Sequence, residues 1–311
     1  MSRIAVIDLG TNTFNLLVVE VDSTKLYTPV FQKKIAVKLA EGGIKKGFIA
    51  PKAFQRGIEA LKEHHQTILK YKVETIHAFA TSAIRGASNQ IEFIEKVKSE
   101  IGIDIEVVSG DREAELIYYG VRNAVEMSDE LSLIIDIGGG STEFIIANKN
   151  EIFWKQSFLL GAARLLEMFD VSDPITVEQT KIYTNYLRKE LQPLFDAVRK
   201  YPVKELLGSS GSFDSLAEMI AHRFYSPYIL TAITEYTFKM DDFNATYETI
   251  IKSTTRERHQ MKGLVSMRVD MIVISSIFVN FIISSFAIQK MRLSTYSLKE
   301  GVLHYILNQS V

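Results

Sequence analysis

Cysteine is absent from the 311 residues. Disulfides, thiol nucleophiles and Cys-ligated zinc are therefore excluded, and a cytoplasmic protein is the matching expectation. An excess of either charge is absent too: 36 Lys and Arg face 37 Asp and Glu, a formal net charge of −1. No whole-molecule field draws in a polyanion, which argues against an open nucleic-acid surface. An anionic ligand has to be held by backbone amides, a few Lys or Arg, and a metal. No linker rich in Pro, Gly or Ser interrupts the chain, so the expected domain junction, near residue 125, is short. No signal-peptide pattern precedes the apolar strand that begins at Ile4. One long uncharged run stands out, 271–288, but it carries Ser275, Ser276, Asn280, Ser284 and Ser285. It reads as a buried central helix rather than a membrane span. With 47% hydrophobic and 23% charged residues, the chain is globular, and its length suits two domains better than one.

What is present is a repeated pattern. Residues 4–19 and 132–147 each read as an apolar strand ending in Asp, a short turn of Gly and hydroxyl residues, and a second apolar strand. Each is a predicted β-hairpin. The turns are Gly10-Thr11-Asn12-Thr13 and Gly138-Gly139-Gly140-Ser141-Thr142. Backbone N–H groups and hydroxyls in such turns hold phosphate oxygens, and Gly permits close approach. One copy alone is better explained by an ordinary turn; two copies, each preceded by Asp, favour anion binding. Asp8 and Asp136 can hold Mg2+ directly or through water, or simply cap their turns. Glu143 has the same two readings, because its direction depends on strand register.

Between and after the hairpins, strands alternate with helices: helix 51–71, strand 75–80, helix 88–101, strand 103–108, and a helix from near Asp111. Then come helix 176–200, strand 204–207, helices 213–222 and 243–253, the apolar helix, and a last helix over 297–307. This is an α/β pattern. Gly208-Ser209-Ser210-Gly211-Ser212 joins a strand to a helix, an arrangement that binds phosphate at the helix N-terminus. It is no Walker loop, since no Gly-Lys-Ser/Thr follows. Thr81, Ser82 and Arg85 follow a strand and offer hydroxyls plus a guanidinium to a phosphate. The plainer alternative has Asn89 and Glu92 opening the next helix as a capping-box variant. Glu113, in a first helical turn, reads on spacing alone as a dipole-stabilising acid. The six His show no metal spacing, and Lys33-Lys34 and Lys45-Lys46 read as solvated rim.

Taken in order, these segments resemble the exopolyphosphatase/guanosine pentaphosphate phosphatase (Ppx/GppA) family. The resemblance runs through Ile7-Asp-Leu-Gly-Thr-Asn-Thr-Phe14, Val37-Lys-Leu-Ala-Glu-Gly-Gly43, Ala80-Thr-Ser-Ala-Ile-Arg85 and Ser109-Gly-Asp-Arg-Glu-Ala-Glu-Leu-Ile-Tyr118. It continues through Asp136-Ile-Gly-Gly-Gly-Ser-Thr-Glu143, Gly263-Leu-Val-Ser-Met-Arg-Val-Asp270 and Leu298-Lys-Glu-Gly-Val-Leu303. The resemblance implies an α/β fold of two actin-like (ribonuclease H-like) domains with an interdomain cleft, here 1–124 plus 297–311 and 125–296. It implies a phosphoanhydride hydrolase that uses Mg2+ and acts on polyphosphate or guanosine penta- or tetraphosphate. It further implies that Glu113 activates the attacking water and that Asp136 and Glu143 lie near the metal. Asn15, Ser210, Ser297 and Lys299 depart from the family's commoner residues, the first from a basic one. The chain resembles the short family form. Alternatives within the superfamily are a sugar or small-molecule kinase, a non-catalytic sensor of the guanosine phosphates, and a filament-forming ATPase. Neither a membrane nor a nucleic acid is an expected partner; a homodimer is compatible.

Overall fold

The two look-alike segments form antiparallel hairpins in two different sheets of the computed structural model, which describes residues 2–169 and 171–309. Residues 1, 170, 310 and 311, included in the expected domain ranges, lie outside the described residues. In the first sheet β1 (Ser2–Leu9) pairs with β2 (Thr13–Val21), and β3 (Tyr27–Ala36) pairs with β2. On the other side of β1, β4 (Thr75–Ala80) and β5 (Ile105–Val107) follow in parallel. The second sheet contains the hairpin β6 (Ser132–Ile137) and β7 (Thr142–Ala147), flanked by β8 (Ile152–Phe158). It is extended by β9 (Glu205–Ser209), β10 (Glu235–Phe238) and β11 (Lys290–Ser294). Strand orders are β3-β2-β1-β4-β5 and β8-β7-β6-β9-β11-β10. The first five positions match in order and in parallel or antiparallel sense, so the repeat seen in two hairpins extends to whole sheets. Two α/β units with the same sheet plan result.

Helices fill three layers. On the outer face of the first sheet lie α1 (Pro51–Lys70), the short α2 (Ser82–Arg85) and α3 (Gln90–Ile101). Between the sheets runs α4 (Gly110–Ala124). The outer face of the second sheet carries α5 (Ala162–Met168), α6 (Val177–Glu190), α7 (Gln192–Lys200), α8 (Gly211–Phe224) and α9 (Met240–Lys252). After the short α10 (Thr255–Arg258), α11 (Ile272–Phe286) joins that layer, and α12 (Leu298–Gln309) returns to lie beside α4. The inter-sheet core takes Val6, Leu17 and Val19 from one sheet, Ile134 and Ile145 from the other, and Leu116, Val121, Val302 and Leu303 from the two helices. At the crossing of α4 and α12, a Cβ on Gly301 would overlap the Leu116 carbonyl, and one on Gly120 would overlap that of Ser297. The helices meet backbone to backbone, which only glycine permits.

α11 is apolar all round because it packs inside the second unit, and no helix among the described residues is long and apolar enough to cross a membrane. Several expectations need correction. The helix predicted over 176–200 is two helices broken at Leu191, since Pro193 lacks a donor N–H and clashes with the preceding turn. Asn89 does not cap α3 with its side chain; it bonds both backbone groups of Ile49 instead. Strands β3, β8, β10 and β11 and helices α2, α5 and α10 carry no distinct local signal in the sequence.

Candidate active site

Side chains alternate across a strand, so Asp8 shares a face with Val6, and Asn15 with Leu17. In the second hairpin, Asp136 shares a face with Ile134, and Glu143 with Ile145. All four apolar neighbours belong to the inter-sheet core. The polar residues therefore end apolar stripes that face one another across the same layer. Register completes two rows. Asp8 lies opposite Asn15, and Asn15 opposite Lys34 of β3. Asp136 lies opposite Glu143, Glu143 opposite Ser157 of β8, and Ser209 of β9 flanks Asp136.

The rows are wired differently. Asn15 Nδ2 donates to Asp8 Oδ2 at 2.9 Å, while Asn15 Oδ1 is buried and unpartnered. In the other row Ser209 Oγ donates to Asp136 Oδ2 at 2.7 Å and Ser157 Oγ to Glu143 Oε1 at 2.7 Å. Glu113 enters between the rows from the first turn of α4, which Ser109 caps by accepting from the Arg112 N–H. Arg85 Nη1 donates to Glu113 Oε2 at 2.6 Å and to the Val108 carbonyl at 3.0 Å.

The two turns meet at the mouth. A Cβ on Gly140 would lie 2.7 Å from both Ser82 Oγ and Thr11 Oγ1, and one on Gly139 2.6 Å from Asn12 Nδ2. Asn12 Nδ2 also donates to the Met271 sulfur at 3.2 Å. Behind this contact is a polar cleft of about 70 Å³. Asp8, Gly10, Thr11, Asn12, Thr13, Thr81, Ser82, Glu113, Asp136, Gly138, Gly139, Gly140, Ser141 and Glu143 all line it. Five other residues singled out in the sequence stand behind the lining. Arg85 holds Glu113, and Ser209 holds Asp136. Thr142 Oγ1 bonds the Leu160 carbonyl at 2.9 Å. Gly208 admits the Phe213 ring, and Gly211 admits the Arg268 guanidinium. Ser210 lines the cleft with φ 72° and ψ 173°, a backbone conformation that otherwise belongs to glycine.

Arg268, Lys34, Asp214 and Lys299 were not among the expected site residues, yet all surround the cleft. Asp214 is within electrostatic reach of all three cations. They come from α8, β3, α12 and the segment before α11, so no local pattern links them. Arg268 also lines a mostly apolar recess of about 160 Å³ that shares Asn12 with the cleft.

Burial dominates the electrostatics. It pushes the Asp8 carboxyl up to about 6, with Asn15 and Lys299 opposing. Burial and then Asp136 push Glu143 up to about 7, against the hydroxyls of Ser141 and Ser157. Burial and then Glu143 hold Glu113 well above the carboxylate range, with Arg85 opposing. Asp136 is raised by burial against the Ser209 and Ser210 hydroxyls. Acids that repel one another in a small cleft suit a hard cation, which would relieve the repulsion. Among the described residues no three His, Cys, Asp or Glu side chains stand close enough to hold a metal by themselves. Asp8, Asp136 and Glu143 offer oxygen donors of the kind a hard divalent cation such as Mg2+ takes.

Comparison with known proteins shows the family. Residues 17–310 match the Ppx/GppA phosphatase family. The chain belongs to the Ppx/GppA phosphatase family. It is 28% identical over 302 residues to a putative exopolyphosphatase of Haemophilus influenzae, covering 97% of this chain and 90% of that protein. It is 31% identical to a bifunctional 3-dehydroquinate synthase/phosphatase of Fusobacterium nucleatum, covering 91% of this chain and 43% of that one. The crystal structure of an exopolyphosphatase from Cytophaga hutchinsonii superposes with a TM-score of 0.95 at 41% identity, covering 99% and 98% of the two chains. The Ppx/GppA family member of Aquifex aeolicus gives 0.82 at 25% identity, covering 100% and 99%. The chain is thus a hydrolase of the exopolyphosphatase family.

Proposed function

We propose that the cleft removes the terminal phosphate from inorganic polyphosphate or guanosine pentaphosphate, with Glu113 as the base. One observation carries this reading: a buried carboxyl, backed by an arginine, enters between two facing Gly-hydroxyl turns. The turns present backbone amides and the hydroxyls of Thr11, Thr13 and Ser141 to phosphate oxygens. Glu113 orients a water and accepts its proton as the oxygen attacks the terminal phosphorus. The anhydride P–O bond on the far side breaks, and the shortened chain departs with the electron pair. Phosphoryl transfer needs mainly such positioning and charge stabilisation. Burial and Glu143 raise the proton affinity of Glu113, as suits a base, and Arg85 favours its ionised form. Asp8, Asp136 and Glu143 would hold Mg2+ through its waters, and the ion supplies neutralisation of the phosphate charge. Ser209 and Ser157 fix the orientation of two of those carboxylates. In this reading 1–124 with 297–311, and 125–296, are the two domains, and the protein works in the cytoplasm.

The test is phosphate release from both substrates with and without Mg2+, beside Glu113→Gln. That variant is expected to bind substrate normally and to turn over about 10²-fold more slowly. Near-normal turnover would remove Glu113 from the chemistry. Absence of release from either substrate by the wild type, with retained binding, would favour a guanosine-phosphate sensor.

A further inference from the structure

Three strands set Asp8, Asn15 and Lys34 side by side on one face. Neighbouring β3 residues point to opposite faces, which separates two lysines that are adjacent in sequence. Lys33 turns outward and pairs with Glu63 of α1. Lys34 turns inward, toward Asp214, Arg268, Lys299 and Asp8, all within its electrostatic reach. Its side chain is open to solvent and makes no hydrogen bond or ion pair with any described residue. The protein around its stem still displaces some water, which pulls its pKa below the usual lysine value.

The residue between Lys34 and Asp8 keeps it free. Asn15 is neutral, and its amide is committed to Asp8. The corresponding place in the other row holds Glu143. A carboxylate at 15 would stand beside Lys34 and neutralise it. With an amide there, the ammonium of Lys34 stays accessible and unneutralised beside the row. We propose that Lys34 is a substrate-binding residue: its ammonium grips a phosphate of the chain that leads out of the cleft, behind the phosphate being cleaved. This rests on the phosphate-chain reading of the cleft. Lysine suits the task, being a flexible point charge that can follow successive phosphates without a fixed bidentate geometry.

The test compares wild type, Lys34→Gln and Lys34→Arg for phosphate release from polyphosphate with Mg2+ over a range of salt, and for tripolyphosphate binding by calorimetry. Lys34→Gln is expected to raise KM about tenfold, the effect of losing about 1.4 kcal/mol of binding, with kcat within about threefold. The salt dependence of KM should flatten, because one screened charge contact has gone. Lys34→Arg should restore KM to within about threefold. A Lys34→Gln enzyme with unchanged KM and salt dependence overturns the assignment, as does a loss confined to kcat or one that arginine does not rescue. A wild type that binds tripolyphosphate but releases no phosphate from polyphosphate sinks the hydrolase reading alone, and the same variants are then judged on binding.

Discussion

The two halves carry the same five-strand order and the same strand–turn–strand opening, but their polar rows have diverged. The first runs Asp8, Asn15, Lys34; the second runs Ser209, Asp136, Glu143, Ser157. The first pairs one acid with an amide and then a cation. The second concentrates two acids and satisfies each with a serine hydroxyl. The second half is therefore built to hold positive charge, and the first to hold negative charge beside a single acid. A repeated fold has supplied two similar shelves, and unlike residues on them give the cleft its polarity.

Removing the acids is the strongest way to break the comparison. Asp136→Asn and Asp8→Asn are each expected to lower turnover with Mg2+ by about 10²-fold, in the range for groups that orient metal-bound water. A loss from only one of them would make the site one-sided, whatever the symmetry of the sheets. The next effect is on stability without divalent cations. Asp8 and Glu143 hold protons more tightly folded, at about 6 and 7, than at their ordinary 3.8 and 4.5. Their stabilising contribution is complete below those ordinary values and is lost as pH rises through about 6 for Asp8 and about 7 for Glu143. Subtracting the denaturation profile of Asp8→Asn from wild type should expose the lower step, and Glu143→Gln the upper. Each is about 1–2 kcal/mol once cleft water is allowed for; steps in the opposite direction would contradict the burial. The smallest effect concerns the entries to α2 and α8. Thr81 enters α2 with ordinary extended backbone (φ −114°), whereas Ser210 enters α8 at φ 72°. Ser210→Gly should raise the melting free energy by about 1 kcal/mol by relieving that strain. A fall instead would show that the Ser210 hydroxyl on Asp136 outweighs it.

Much of this was legible in the chain. Both hairpins, their turns and most helices follow from apolar periodicity and from Gly-hydroxyl clusters, which are local signals. Glu113 was legible only through resemblance. Its first-turn position is the ordinary place for a dipole-stabilising acid, and what sets it apart is the Arg85 contact made from 28 residues away in sequence. In the sequence Lys34 looks like half of a solvated pair, because β3 has no local signal; the period-two alternation of β3 separates it from Lys33. Arg268, Asp214 and Lys299 converge through tertiary folding from three distant segments, and no spacing rule reaches that far. The direction of Glu143 needed the register between β6 and β7, which the turn alone does not determine.

The bare backbone crossing of α4 and α12 also has a mechanical consequence. It lies at the floor of the cleft, where Ile117 and Leu298 form part of the wall. Sliding one helix along the other would drive residue 301 into the Leu116 carbonyl. Shear is blocked there. Gly139 and Gly140, at the opposite end of the same cleft, touch Asn12, Thr11 and Ser82 without interlocking side chains of their own. Both helices belong to the same proposed domain, so the crossing stiffens the wall of the cleft from which Glu113 projects and leaves the two turns to be held only by their own contacts.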